Sequence, residues 1–275
     1  MNPAPPAVLQ RARPLLGTLV VIQLPVEGAD VQPAEMGMAQ AYAVVARIHR
    51  SMSAHEAGSD LARLACASAG VPLALDPHTV AVLRLAQHWQ RASRGAFDPQ
   101  RAGAALARQG RRPALHGGHP RSGSLQGLQF IDACTVLSDG PIALDLGGIA
   151  KGYAVDQAVA ALRGAGLASG LVNAGGDLRA FGPRPWSIEV QHPAVTARTR
   201  RLLRLREGAV ASSVAAGNAE FVPTRRGAVA WRSGTVLARD CATADALTKW
   251  ALQDPEPSLA LRRALRAAGA RLWRN

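Results

Sequence analysis

Lysine is almost missing from this chain of 275 residues: of 32 basic residues only Lys151 and Lys249 are lysines, and the other 30 are arginines. An arginine fork cannot replace a compact ammonium in every geometry, so both lysines mark positions to inspect. Cysteine is scarce as well. Cys66, Cys134 and Cys241 are odd in number and far apart, with no C-x-x-C pair, which argues against a disulfide framework or a thiolate metal site. No apolar run is long enough to span a bilayer. The start MNPAPPAVLQRARPLLGTLVVIQLP lacks the basic, apolar and small-residue order of a secretory signal, and no lipobox-like Cys follows it. Cytoplasmic is the resulting expectation, with periplasmic the alternative if a leader precedes this start.

Aromatic residues make up only 4% of the chain, and no helix-turn-helix, finger or RNA-recognition pattern accompanies the formal charge of +13. The arginines are scattered, with short clusters at Arg11–Arg13, Arg198–Arg206 and Arg225–Arg232. A nucleic-acid partner is therefore not expected. The common nucleotide and hydrolase strings are absent too: GxxxxGK[ST], the spaced GxGxxG, GxSxG and HExxH. No repeat of 20–50 residues appears, which excludes a solenoid. What remains is an ordinary globular composition, 48% hydrophobic and 19% charged.

The richest stretch is IALDLGGIAKGYAVDQAVAALRGAGLASGLVNAGGDLRAFG, Ile142 to Gly182. It reads as a buried strand over Ile142–Leu146, a glycine pair, a helix, and a second strand ending at another glycine pair. Glycines let backbone amides approach a ligand, and a helix start turns N–H groups and a positive dipole end toward it. Anionic groups, phosphates above all, suit such a place. Asp145 precedes the first pair, Lys151 follows it, and Asp177 follows the second.

Around this unit the pattern predicts a loose arm over residues 1–14, with four prolines, and one domain over 15–275. LLGTLVVIQL reads as a strand, and Met38, Tyr42, Val45, Ile48 and Met52 mark an amphipathic helix over Pro33–Ser51. Ser59 or Asp60 can cap a short helix DLARLA, and Asp76-Pro77 opens a further helix that closes at Gly95. Taken alone, His55 is a solvated loop histidine, Phe97 a core plug and Asp98 a turn former. Residues 101–127 read as an Arg/Gly/His-rich loop, in which His116 and His119 lack a nearby carboxylate. Later come a strand at PWSIEVQHP, a strand pair turning at Glu207-Gly208, a hairpin around Ser233-Gly234, and helices at ATADALTKWAL and PSLALRRALRAAGARLW. Hairpins outnumber βαβ crossovers. The fold class expected is α+β, a mostly antiparallel sheet with flanking helices.

DLGGIAKGYAVDQ followed by LVNAGGDLRAFG resembles the core signature of the FAD:protein FMN transferase (ApbE) family. LLGTLVVIQL, MSAHEAGSDLARL, GAFDP, the W-x-I-x-V strand ending in QHP, and TADALTK fall in the family's order, so the likeness runs from about Leu15 to Leu252. The resemblance implies a T-fold-related architecture. It also implies Mg²⁺-dependent transfer of FMN from FAD to a Thr or Ser hydroxyl of a target flavoprotein, with AMP released. An acceptor segment of the form D-G-x-[ST]-G-A-[ST] is implied with it. On the same grounds FAD contacts fall to Leu16, His55, Ala96, Phe97, Asp98, Asp145 and Lys151. The Mg²⁺ ligands become the Gly148 backbone oxygen, Asp245 and Thr248. No catalytic residue is assigned.

Two departures stand out. Lys249 occupies the place where relatives carry a further Thr ligand, and an ammonium there can take the cation's position or pair with a phosphate. The His-x-x-Asp-Pro loop of relatives is reduced to VPTRRG, with no His or Asp between Val214 and Arg239. An FAD-binding carrier or regulator without transfer, or an FAD pyrophosphatase, are the alternative expectations.

Overall fold

The computed structural model describes residues 7–26, 31–108, 123–192, 195–215, 231–254 and 256–274. Strands β1 (Ala7–Leu15) and β2 (Thr18–Val26) form a hairpin paired in register from Leu15↔Thr18 to Ala7↔Val26. The stretch expected as a loose arm is thus, from Ala7 onward, an edge strand. Its one described proline, Pro14 opposite Leu19, sits where an edge strand tolerates it, because an outward edge needs no N–H. The two-residue turn holds Leu16 at φ 57° and Gly17 at φ 70°, the pair of positive φ values that a tight hairpin requires.

Helix α1 (Gln32–Met52) buries Met38, Tyr42, Val45, Ile48 and Met52, the stripe legible in the sequence. Helix α2 (Asp60–Leu64) is capped by Ser59, whose hydroxyl accepts from Ala62 N at 3.1 Å. After β3 (Pro72–Ala74), Asp76 caps α3 (Pro77–Ala92) by accepting from His78 N at 2.8 Å. Helix α4 (Pro99–Arg108) corrects the loop expected from Arg101 onward. Asp98 starts it, its Oδ1 accepting from Gln100 N and Arg101 N, so the turn former is also a helix starter. His116 and His119 lie outside the described residues. Strands β4 (Gln129–Phe130) and β5 (Thr135–Leu137) complete a small sheet in the order β3-β5-β4.

Ile142–Leu146 is not a strand. Its alternate residues Ile142, Leu144 and Leu146 are fully buried, yet its backbone bonds to helix ends, Ile142 N to Leu64 O at the end of α2 and Asp145 N to Pro99 O at the start of α4. Apolar periodicity reports burial, and burial here comes without a sheet partner. Helix α5 (Gly147–Gly164) follows, then β6 (Gly170–Ala174) and β7 (Asp177–Phe181). Among the described residues, strands β8 (Trp186–His192) and β9 (Val195–Leu205) pair only with each other. Strand β10 (Gly208–Val214) pairs with β7 and with β11 (Ser233–Ala238), so neither the Glu207-Gly208 nor the Ser233-Gly234 hairpin forms. Those segments pair with strands distant in sequence, which local turn chemistry cannot reveal. Helices α6 (Cys241–Gln253) and α7 (Leu259–Ala267) precede β12 (Arg271–Arg274), an edge strand with no clear sequence signal.

The main sheet has seven strands in the order β1-β2-β6-β7-β10-β11-β12, every neighbour antiparallel. Helices α1, α5 and α6 lie side by side across one face. The period of two sorts the strands: Val172, Ala174, Phe181, Ala209 and Ala211 face the helices, while Leu171, Leu178, Ala180 and Val210 meet Trp186 and Ile188 of the β8–β9 ribbon. The mostly antiparallel α+β fold is as expected. Three polar side chains share the helix-facing layer, Asp177, Arg179 and Ser213, and all three bear on the site.

Candidate functional site

Four segments converge at one end of the main sheet: the start of α5, the middle of α6, the 95–98 turn and the end of β10. Asp145 opens α5 by accepting from Gly147 N at 2.9 Å. Gly148 then lies close enough to α6 that a Cβ there would stand 3.1 Å from Lys249 Cγ and 3.4 Å from the Phe97 ring. Ala96, Phe97, Asp98, Asp145, Gly148 and Lys249 line one cleft. Asp98 is held from behind by Gln90 Nε2 at 2.8 Å. The cleft continues into a groove between the 93–98 turn and the start of α7, walled by Arg94, Arg101 and Arg263.

Helix α6 brings its charges in by spacing. Asp245, Thr248 and Lys249 fall on one face, at i, i+3 and i+4. Asp245 is fully buried. Its Oδ2 accepts from Gly152 N at 3.3 Å, while its Oδ1 accepts no hydrogen bond and lies 3.5 Å from the Lys249 ammonium. Lys249 Nζ donates to Ser213 Oγ at 2.7 Å, and Ser213 Oγ lies 2.8 Å from Thr248 Oγ1. Thr248 donates in turn to the Asp245 backbone oxygen at 2.7 Å. The outcome is a closed network of carboxylate, ammonium and two hydroxyls between α6 and β10. Buried charge persists only where it is paired in this way.

The second lysine takes the other side of α5. Lys151 Nζ donates to Gly147 O at 2.8 Å and lies 3.9 Å from the buried carboxylate of Asp177. Asp177 follows the Gly175-Gly176 turn, where both φ values are positive and a Cβ on Gly175 would meet Thr18 Oγ1 at 2.5 Å. The β1–β2 and β6–β7 turns therefore touch, and Leu16 sits half-buried at this edge with its left-handed backbone. For a residue with a Cβ that conformation costs on the order of 1 kcal/mol.

The structure thus gathers Ala96, Phe97, Asp98, Asp145, Gly148 and Asp245–Lys249 around one cleft, with Lys151 and Leu16 on the neighbouring flank. His55 is exposed in the turn after α1, its N–H on Ser53 Oγ at 3.2 Å, and is not on the cleft wall. The reduced loop VPTRRG lies outside the described residues.

Two supports escaped the sequence reading. Asp156 of α5 accepts from Cys241 N and Ala242 N, both at 2.9 Å, and pairs with Arg179 Nη1 at 2.7 Å. It thereby fixes the N-terminus of α6 and the rotation of Asp245 and Lys249. Burial pushes its carboxyl up, against the downward pull of those N–H groups and of Arg179. Gly152 is the second: a Cβ there would be 2.3 Å from Cys241 O. A charged residue inside an otherwise apolar helix stripe was the available signal for Asp156, and its partners were not readable.

The magnesium ion implied by the family resemblance can be tested against these donors. Mg²⁺ demands oxygen ligands at about 2.0–2.1 Å in near-octahedral array. Asp245 is the one carboxylate of the network, and its Oδ1 faces an ammonium. The Thr248 hydroxyl is turned to backbone and Ser213. Among the described residues no group of three His, Cys, Asp or Glu side chains could hold a metal. The residues present do not fit a divalent cation.

Comparison with known proteins follows the same outline. A flavin transferase ApbE of Vibrio cholerae has the same fold, with TM-score 0.78 and 21% identity over 98% of this chain and 94% of that one. The ApbE protein of Thermotoga maritima gives TM-score 0.77 at 23% identity over 98% and 94%. An FAD:protein FMN transferase of Rhodobacter capsulatus is 29% identical over 196 residues, which span 65% of this chain and 36% of that protein's length. The model of the ApbE family matches residues 16–268, nearly the whole of the described fold, and on that match the chain belongs to the ApbE family.

Proposed function

We propose that this protein is an FAD:protein FMN transferase. FAD enters the cleft, a Thr or Ser hydroxyl of a partner flavoprotein attacks the FMN-side phosphorus, and AMP leaves. The new bond joins the acceptor oxygen to that phosphorus as the phosphorus–oxygen bond to AMP breaks. AMP departs with the electron pair, and the hydroxyl proton passes to water. The acceptor segment has the form D-G-x-[ST]-G-A-[ST].

One observation carries the reading: the two family strings, GAFD and DLGG, meet on a single cleft that the Lys249 side chain also lines. Each part suits a dinucleotide diphosphate. Gly148 lets the backbone come close, the start of α5 presents its positive dipole end, and Lys249 supplies a full charge. Phe97 offers an apolar ring edge beside Gly148. Ala96, Asp98 and Asp145 are assigned to the same ligand. Lys151 positions the Gly147 carbonyl and the α5 start, and Leu16 and His55 are assigned to its outer edge. No step is assigned to magnesium.

Purified protein incubated with FAD and an acceptor carrying that segment tests the proposal by mass spectrometry of the acceptor and chromatography of the nucleotides. A gain of one FMN moiety with equimolar AMP is the expected result. Free FMN and AMP with an unchanged acceptor would make the protein an FAD pyrophosphatase, and bound intact FAD a carrier. Either overturns the transfer reading.

A further inference from the structure

We propose that Lys249 is a built-in cation, whose ammonium supplies to a diphosphate in the cleft the positive charge that a bound divalent ion would otherwise bring. The inference rests on the reading that the cleft takes FAD.

Three features carry it. Asp245 and Lys249 are one turn apart on α6, so the lysine stem lies over the carboxylate and its nitrogen reaches 3.5 Å from Oδ1. That oxygen is buried and accepts no hydrogen bond, so the ammonium is the positive charge set against it. An ion bound at about 2 Å from the same oxygen would press against the ammonium. Second, Ser213 Oγ accepts from Nζ at 2.7 Å, and Ser213 is tied to Thr248, so the nitrogen is held in place rather than left to wander. Third, Lys249 lines the cleft beside Gly148 and Phe97, its Cε 3.3 Å from the place a Gly148 Cβ would fill. The stem therefore lies against the bare backbone of Gly148, with the ammonium one bond beyond Cε. An ammonium on a slim stem passes between Gly148 and Ser213, whereas a guanidinium fork is broader and planar. That explains a lysine here in a chain with 30 arginines.

FAD binding to the full-length protein, measured by calorimetry in EDTA and again in millimolar MgCl₂, tests the proposal without requiring turnover. Wild type is expected to bind FAD with the same affinity, within about twofold, in both conditions. Lys249→Thr is expected to bind about tenfold or more weakly in EDTA, the loss typical of one charge-assisted contact. Should that variant fail to fold, the neutral pair Asp245→Asn/Lys249→Met removes both charges and carries the same expectation. FAD binding by wild type that needs Mg²⁺ would overturn the proposal while leaving the transferase reading intact. So would unchanged affinity in the folded variants. A separate arm titrates Mn²⁺ alone, followed by electron paramagnetic resonance: wild type is expected to take up none. Binding that disappears in Asp245→Asn would overturn the proposal whether or not flavin binds. Absence of FAD binding in both buffers would overturn the FAD reading itself, and this inference with it.

Discussion

Replacing Gly152 by Ala should be among the most damaging single-methyl additions in the molecule. The added Cβ would stand 2.3 Å from Cys241 O, 2.6 Å from Cys241 C and 2.9 Å from Ala242 Cα. All three are backbone atoms of the α6 start, which Asp156 pins through two N–H bonds, so no side chain can swing aside. Ordinary carbon contact needs about 3.5 Å, so α5 and α6 must part by roughly 1 Å, a gap that forfeits a quarter to a half of each lost dispersion contact. Overpacking of this kind costs about 3 kcal/mol, the upper end of its usual range. At about 2–4 °C per kcal/mol for a chain somewhat under this size, melting should fall by roughly 6–12 °C. Two glycines of the same helix serve as controls. Gly164→Ala meets nothing within 4 Å and should be neutral or raise the melting point slightly through helix propensity. Gly148→Ala meets only the flexible Lys249 stem and the Phe97 edge, so it should leave melting nearly unchanged and weaken FAD binding instead. Thermal melts by circular dichroism, with flavin titrations alongside, separate the three. A Gly152→Ala melt within about 2 °C of wild type, or a Gly164→Ala fall of the same size, would refute the close approach of α5 to α6.

Asp156→Ala leaves Arg179 and two α6 N–H groups without their carboxylate, and urea unfolding should show a loss of about 3–5 kcal/mol. Burial holds the His78 ring below its ordinary value of 6.5. The folded state thus favours the neutral form, whose contribution is present above that pH and is lost as pH falls through it. Between about pH 7.5 and 5.5 wild type should lose more melting temperature than His78→Gln, which keeps a partner for the Tyr153 hydroxyl; equal slopes would refute the assignment. Cys66 and Cys134 are exposed, while Cys241 is buried and its thiol is pushed well up by desolvation. A chromogenic disulfide reagent should therefore titrate two thiols in the native protein and the third only after unfolding; three fast thiols would contradict the burial of the α6 start.

The elements that the sequence announced are those whose signals are local. The α1 stripe, the Ser59 and Asp76 caps and the glycine pairs depend on neighbours a few residues away, and each stands where its pattern put it. Strand pairing is another matter. Nothing near Glu207 indicates that β10 joins β7 and β11 while β9 turns away to β8. The stretch from Ala7 to Pro14 carries no periodic signal of its own, and it becomes a strand because β2 pairs with it. Ile142–Leu146 alternates like a strand because its alternate residues are buried, but its hydrogen bonds go to Leu64 and Pro99.

By itself the sequence determined the family, the α+β class and the residues around which a site could form: GAFD, DLGG, Lys151, Asp245 and Lys249. Motif chemistry survives in one dimension because each string serves one ligand contact. Only the tertiary structure decided how those strings share the work. It set Lys249 between Asp245 and Ser213, turned Lys151 to the neighbouring flank with Asp177, left His55 in an exposed turn, and revealed Asp156 and Gly152 as the clamp on α6. Apart from Asp245 and Lys249, which one helical turn brings together, these are contacts between residues some 25 to 95 positions apart, set by packing of α5 against α6 and β10, and no local spacing encodes them.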